Sequence, residues 1–166
     1  MKKLISTFLL TVLLPTFMFC QDATNQTSVK TKTGIIKIEG QWEQLNTAED
    51  SGQTYLKNKE GVIIAVAQNA KKSYPFFDST KSNDDNLTSF YTWDSDYYKE
   101  NNFKTAKLKE NKALEYIIWK YNDNKADNVF LFASTKNSFL NLLVYTNNWP
   151  EAEKIIFLEK TYKLNK

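Results

Sequence analysis

Two adjacent runs near the C-terminus, Val129-Phe130-Leu131-Phe132-Ala133-Ser134-Thr135 and Phe139-Leu140-Asn141-Leu142-Leu143-Val144-Tyr145-Thr146, decide the architecture. Successive side chains of a strand point to opposite faces, so Phe130 beside Leu131 and Leu142 beside Leu143 place bulky apolar groups on both faces at once. Such strands are interior and covered on both sides. Residues 103–109 and 113–121 upstream are also strand-like, and polar turns separate all four segments. Downstream, Pro150-Glu151-Ala152-Glu153 is a proline-first, acid-first helix start that suits the helix dipole. Ala152, Ile155, Ile156, Glu159 and Tyr162 follow at helical spacing, which predicts an amphipathic helix closing the chain against the sheet.

In the N-terminal half, Asn83-Asp84-Asp85 supplies cap-type residues. Leu87, Phe90, Tyr91, Asp94, Tyr97 and Tyr98 then fall on one helical face. Pro75 breaks the pattern of residues 73–80 before that helix. Residues 53–57 and 62–68 read as a hairpin around Asn58-Lys59-Glu60-Gly61, with glycine where a tight turn favours it. Ile35-Ile36-Lys37-Ile38 is a short β-branched strand. Residues 21–33 are polar and lack apolar periodicity, which reads as a flexible tether, so folded structure is expected from Gly34. The expected fold is α+β: a single antiparallel sheet of six to seven strands, one helix after the first hairpin, and a C-terminal helix packed on the sheet. Residues 34–166 then form one domain, since a second domain would leave each half marginal.

This order of elements resembles the PsbP-like fold family over roughly residues 34–163. The resemblance is carried by Gly61-Val62-Ile63-Ile64-Ala65-Val66-Ala67, by Lys109-Glu110-Asn111-Lys112-Ala113-Leu114-Glu115-Tyr116, similar to the family's central hairpin, and by Glu153-Lys154-Ile155-Ile156-Phe157-Leu158, similar to its closing helix. It implies a binding or accessory protein without catalysis. The family includes a subunit of the oxygen-evolving complex, a nuclear-transport factor and small bacterial envelope proteins. No functional residue of the family carries over, because no motif matches residue by residue.

The first twenty residues read as a signal peptide: Met1-Lys2-Lys3 is a positive start, and Leu4 to Leu14 is an apolar run broken by Ser6, Thr7 and Thr11. Pro15 and the polar residues after Cys20 make the segment shorter and worse flanked than a membrane span, so no integral span is expected after cleavage. Cleavage after Cys20 leaves Gln21 first and the protein periplasmic or secreted. The alternative is a lipid anchor on Cys20, for which Phe17 and Phe19 are poor neighbours.

All 22 basic residues are lysines; losing Lys2 and Lys3 leaves 20 against 19 Asp and Glu, a net charge of +1. No global field steers a partner. Beyond Cys20 the chain has no histidine, arginine or cysteine. That removes the Ser-His-Asp and Cys-His nucleophiles, the imidazole base and the usual zinc and iron ligand sets, and with them disulfides. Without the guanidinium fork, sequence-specific nucleic-acid recognition loses its commonest contact, and no nucleic-acid partner is expected. No cofactor is called for, and neither Gly-x-Ser-x-Gly nor Ser-x-x-Lys occurs.

Three features remain as candidate sites. Asp94 and Asp96, near Asp84 and Asp85, suggest calcium, but the loop glycine and the bidentate acid are missing, and residues two apart on a helix diverge, so capping and surface roles are the better account. Glu115 sits between Ala113, Ile117 and Trp119 on one strand face, where it is either a buried acid or a cross-strand partner of Lys104 or Lys107. Aromatic residues make up 14% of the chain and crowd between Tyr74 and Tyr98. The helical stripe explains Phe90, Tyr91, Tyr97 and Tyr98 as core, leaving Phe76, Phe77 and Trp93 as the expected contact patch. The sequence therefore points to a non-enzymatic, exported accessory protein of the bacterial envelope that binds a protein or small ligand through residues 73–96. Two rivals are a carboxylate-based hydrolase acting on glycans and an immunity-type inhibitor of a secreted toxin.

Overall fold

A computed structural model describes residues 25–145 and 148–166. The segment read as a signal peptide, including Cys20, lies outside the described residues. The chain forms β1 (Gln26–Lys30), β2 (Ile35–Glu39), β3 (Glu43–Thr47), β4 (Thr54–Lys57), β5 (Ile63–Ala70), a 3-10 turn (Lys71–Ser73), α1 (Asn83–Glu100), β6 (Lys104–Asn111), β7 (Tyr116–Asn122), β8 (Asp127–Ser134), β9 (Ser138–Tyr145) and α2 (Glu151–Leu164). Seven strands make one antiparallel sheet in the order β3-β4-β5-β9-β8-β7-β6, and β1 and β2 form a separate hairpin. The fold is α+β, with one helix in mid-chain and one at the C-terminus.

The doubly apolar strands are central. β9 pairs with β5 on one side and β8 on the other, and β8 pairs with β7. Their alternation sorts side chains by shape onto two faces. Ile118, Leu131, Leu142 and Val144 make an aliphatic face, which buries Leu158 and Tyr162 of α2 together with Val29, Ile36 and Ile38 of the hairpin. Ile117, Trp119, Phe130, Phe132 and Phe139 make an aromatic face, which meets Leu87 and Phe90 of α1. Rings stack in register there: Phe90 lies 4.0 Å from Phe132 with 8° between planes, and Trp119 lies 4.6 Å from Phe130 with 7°. Such pairs add about 0.5–1.5 kcal/mol each beyond burial.

Three local expectations are corrected, and one strand, β3, is added. Residues 26–30, read as part of a tether, are β1, whose Val29 is 2% exposed against Ile36. β3 has no buried residue and carries a register shift between Gln44 and Asn46, so no apolar alternation announces it. Glu115 precedes its strand in a left-handed turn (φ 52°), and its Oε1 accepts from Asn83 Nδ2 at 2.9 Å rather than facing Lys104 or Lys107. The inner face of α2 is Lys154, Leu158, Thr161 and Tyr162, while Ala152 and Ile156 are exposed. Lys154 can sit there because its Nζ donates to the Asp127 carbonyl at 2.7 Å while its stem packs.

Candidate functional site

α1 packs over β6, β7 and β8 and leaves the aromatic face of β9, β5 and β4 partly uncovered. The result is a cleft of about 610 Å³ between the helix and the sheet. Its floor is built from small or polar residues, Ala67 and Asn69 of β5 and Asn141 of β9, where the neighbouring strands carry rings. Its walls are Tyr74, Phe90, Trp93, Tyr98 and Phe130.

The wall opposite the sheet depends on how α1 begins. Ser82 is the N-cap; its Oγ accepts from Asp85 N–H at 3.1 Å and donates to the Asp85 carboxylate at 2.7 Å. Buried Asn86 fastens the preceding loop: its Nδ2 donates to the carbonyls of Asp78 (2.8 Å) and Ser82 (3.0 Å), and its Oδ1 accepts from Asp78 N–H (3.0 Å). That clamp holds Tyr74 against Phe90 (5.0 Å between centroids) and Phe139 (5.5 Å). Lys71, 4% exposed, braces the same corner, with its Nζ donating to Asn83 Oδ1 at 2.7 Å and lying 5.4 Å from the Phe139 ring.

Asp94 projects into this cleft from the helical stripe that carries Phe90 and Tyr98 one turn to either side. Among the described residues its carboxylate has no hydrogen-bond or ion-pair partner. Burial among rings pushes its pKa up to about 7. Desolvation also pushes up the hydroxyls of Tyr74 and Tyr98, and Tyr121, stacked 3.8 Å from Tyr98, is pushed up to about 12. The phenols are therefore neutral over the physiological range. Two further oxygens are buried without a partner, Asn69 Oδ1 and Asn141 Oδ1. Asn69 is fixed in orientation because its Nδ2 donates to the Ser51 carbonyl (2.8 Å) and to the Tyr74 hydroxyl (3.2 Å). Gly52, at φ +69°, permits that approach: a Cβ there would meet Lys32 Cε at 2.8 Å and Asn69 Oδ1 at 3.2 Å.

The expected contact patch is divided by the structure. Trp93 is 48% exposed and lines the cleft. Phe76 is half-buried, 5.5 Å from both Phe90 and Trp93, and Phe77 is half-buried against Phe139 at 6.5 Å; both pack on the aromatic core. Tyr97, expected in the core stripe, is 59% exposed. Asp94 and Asp96 do not converge: Asp96 forms an ion pair with Lys99 at 2.8 Å outside the cleft. Among the described residues no three His, Cys, Asp or Glu side chains cluster at metal-binding distance. Asn69 and Asn141 escaped the sequence reading as site residues, while Tyr74 fell within the aromatic crowd it pointed to but was not singled out. Asn141 had a signal, a single amide within an apolar strand.

A second depression of about 580 Å³ lies near the start of α2, with Trp42, Trp149 and Phe157 as its aromatic wall. It is rimmed by charges of both signs, and Trp42 Nε1 already donates to the Glu39 carbonyl at 2.8 Å. The α1 cleft differs in presenting unsatisfied polar atoms. No family model matches the chain, and no curated protein matches it.

Proposed function

We propose that the chain is an exported, non-enzymatic binding domain of the bacterial envelope whose α1–sheet cleft holds a small ligand. The observation that carries this reading is that Asp94, without a recorded partner among the described residues, lines one aromatic-walled cleft of ligand size together with Asn69 and Asn141, whose amide oxygens are buried and unpaired. Buried polar atoms without partners cost stability, and a bound ligand supplies the missing partners. The export signal of residues 1–20 and the resemblance to the PsbP-like family support an envelope accessory role. A periplasmic or secreted product beginning at Gln21 is distinguished from a lipid-anchored one by the mass of the recovered protein.

One observation favours the hydrolase reading: a carboxyl with a pKa near 7 is suited to act as a general acid. Glycoside hydrolysis needs a second carboxylate roughly 5–10 Å away. The other acid bordering the cleft is Asp50, whose Oδ1 accepts from Ser51 N–H at 2.6 Å within its own turn.

The test is amide-resolved NMR with a panel of small amines, sugars and carboxylates. Binding should shift the amides of Asn69, Trp93, Asp94 and Asn141, and Ala67→Leu, which fills the floor, should abolish the shifts while the fold is retained. Turnover of a glycoside panel that disappears in Asp94→Asn would replace this reading with the hydrolase.

A further inference from the structure

We infer that the cleft selects a small organic cation, an ammonium group held by Asp94 and enclosed by the faces of Tyr74, Trp93 and Tyr98. The inference rests on the cleft being a ligand site and assigns the ligand's chemistry.

The polar atoms of the cleft that lack partners are acceptors. Asp94 lacks any partner among the described residues, and Asn69 Oδ1 and Asn141 Oδ1 are buried and unsatisfied. The Asn69 oxygen cannot exchange places with its nitrogen without losing the bond to the Ser51 carbonyl, which only a donor can make. An ammonium carries donors and no acceptor, the polarity that an ionised carboxylate and neighbouring amide oxygens call for. A carboxylate or phosphate would meet a like charge and two carbonyl dipoles.

The charges around the rim agree. The ionisable groups bordering the cleft are Asp94 and Tyr98 on α1, Tyr74 before it, Asp50 in the β3–β4 turn and Lys32 in the β1–β2 turn; the facing strands contribute only the uncharged amides. Lys32 is the single cation, and its Nζ is engaged by the carbonyls of Asp50 (3.2 Å) and Glu49 (3.4 Å). Among the described residues no side-chain cation is recorded against Asp94. The aromatic walls supply the second half of cation recognition, since ring faces attract a cation within about 6 Å of the centroid. Tyr74 and Trp93 stand nearly perpendicular, 6.1 Å apart with 81° between planes, forming a corner rather than a closed stack. Once ionised, the Asp94 carboxylate lacks a countercharge in the cleft, and an entering cation supplies one at the cost of its own desolvation.

The test compares n-butylammonium with its uncharged analogue 1-butanol and with butyrate, by amide-resolved NMR on the domain from Gln21, at pH 8 and pH 5. Expected is saturable binding of butylammonium at pH 8, with shifts at Trp93, Asp94 and Asn141. It should weaken at least about tenfold at pH 5 and in Asp94→Asn, the scale of one charge-assisted bond. Asp94→Glu should restore part of the affinity, and butyrate should not bind. If 1-butanol or a sugar binds the cleft as well as the amine does, and Asp94→Asn leaves the amine unaffected, the cation inference is overturned while the ligand-site reading stands. If no probe of any class shifts cleft amides, both fail.

Discussion

Asp94 occupies a position where the stripe of α1 calls for an apolar residue, and the cost of placing a carboxylate there is readable as a pH dependence. Its pKa is about 7 in the folded chain against 3.8 for the free group, so between these values the native state holds a proton that the unfolded state has released. Stability attributable to this group is greatest below pH 4 and falls as pH rises to 7. The loss is no more than about 4 kcal/mol at about 1.4 kcal/mol per unit, and smaller to the extent that water in the open cleft screens the charge. The lowered carboxyls of Asp127 and Glu159 act with opposite sign, but their contribution is lost only as pH falls below about 4. Urea unfolding between pH 4.5 and 7.5 should therefore show stability declining in the parent chain and nearly flat in Asp94→Asn, which is the more stable of the two at pH 7.5. The sequence placed Asp94 on the correct helical face. Because helix-cap and surface acids are common, its proximity to rings, rather than to Asp96, was not legible until the sheet was in place.

At the scale of elements, the two doubly apolar strands, the central hairpin and α1 were visible in the sequence through their apolar patterns, and α2 through its proline-first, acid-first start, although its buried face is not the apolar spacing expected. β1 and β3 were not: β1 buries the single residue Val29, and β3 buries none, so their pairing is set by strands elsewhere in the chain. The cleft was legible only in fragments, for its floor joins Ala67 and Asn141, adjacent in the β5–β9 register but 74 positions apart in sequence. Its wall is held by Asn86, which satisfies four backbone groups of residues 78–82. Asn86→Ala strands the Asp78 N–H, while the Asp78 and Ser82 carbonyls keep Lys81 N–H and Asn86 N–H as backbone partners, and it should cost about 1–3 kcal/mol in denaturant unfolding, the scale of one stranded group. It should also weaken cleft binding by loosening Tyr74. Asn86→Asp retains the acceptor for Asp78 N–H and should fall between the two.

The whole molecule is a sheet sealed on two sides by different means. Its aliphatic face is closed by α2 and by the β1–β2 hairpin, which are joined where the Asn165 side chain accepts from Lys37 N–H (2.8 Å) and donates to the Lys37 carbonyl (2.7 Å). The segment first read as a tether is thus part of the cover. A chain beginning at Gly34 loses β1 and exposes Ile36 and Ile38, and should melt well below one beginning at Gln21. Val29→Ala, removing two buried carbons at about 0.8 kcal/mol each, should reproduce about 1.5 kcal/mol of that loss. The aromatic face is closed only in part, by α1, and an unpaired carboxylate stands in the remainder. A ¹³C-NMR titration of the Asp94 side-chain carboxyl is the most direct measurement of that arrangement. The structure requires a midpoint near 7 in the free protein and a lower midpoint when n-butylammonium is present. A midpoint near 3.8, unmoved by the amine, would contradict both the desolvated carboxylate and the site built around it.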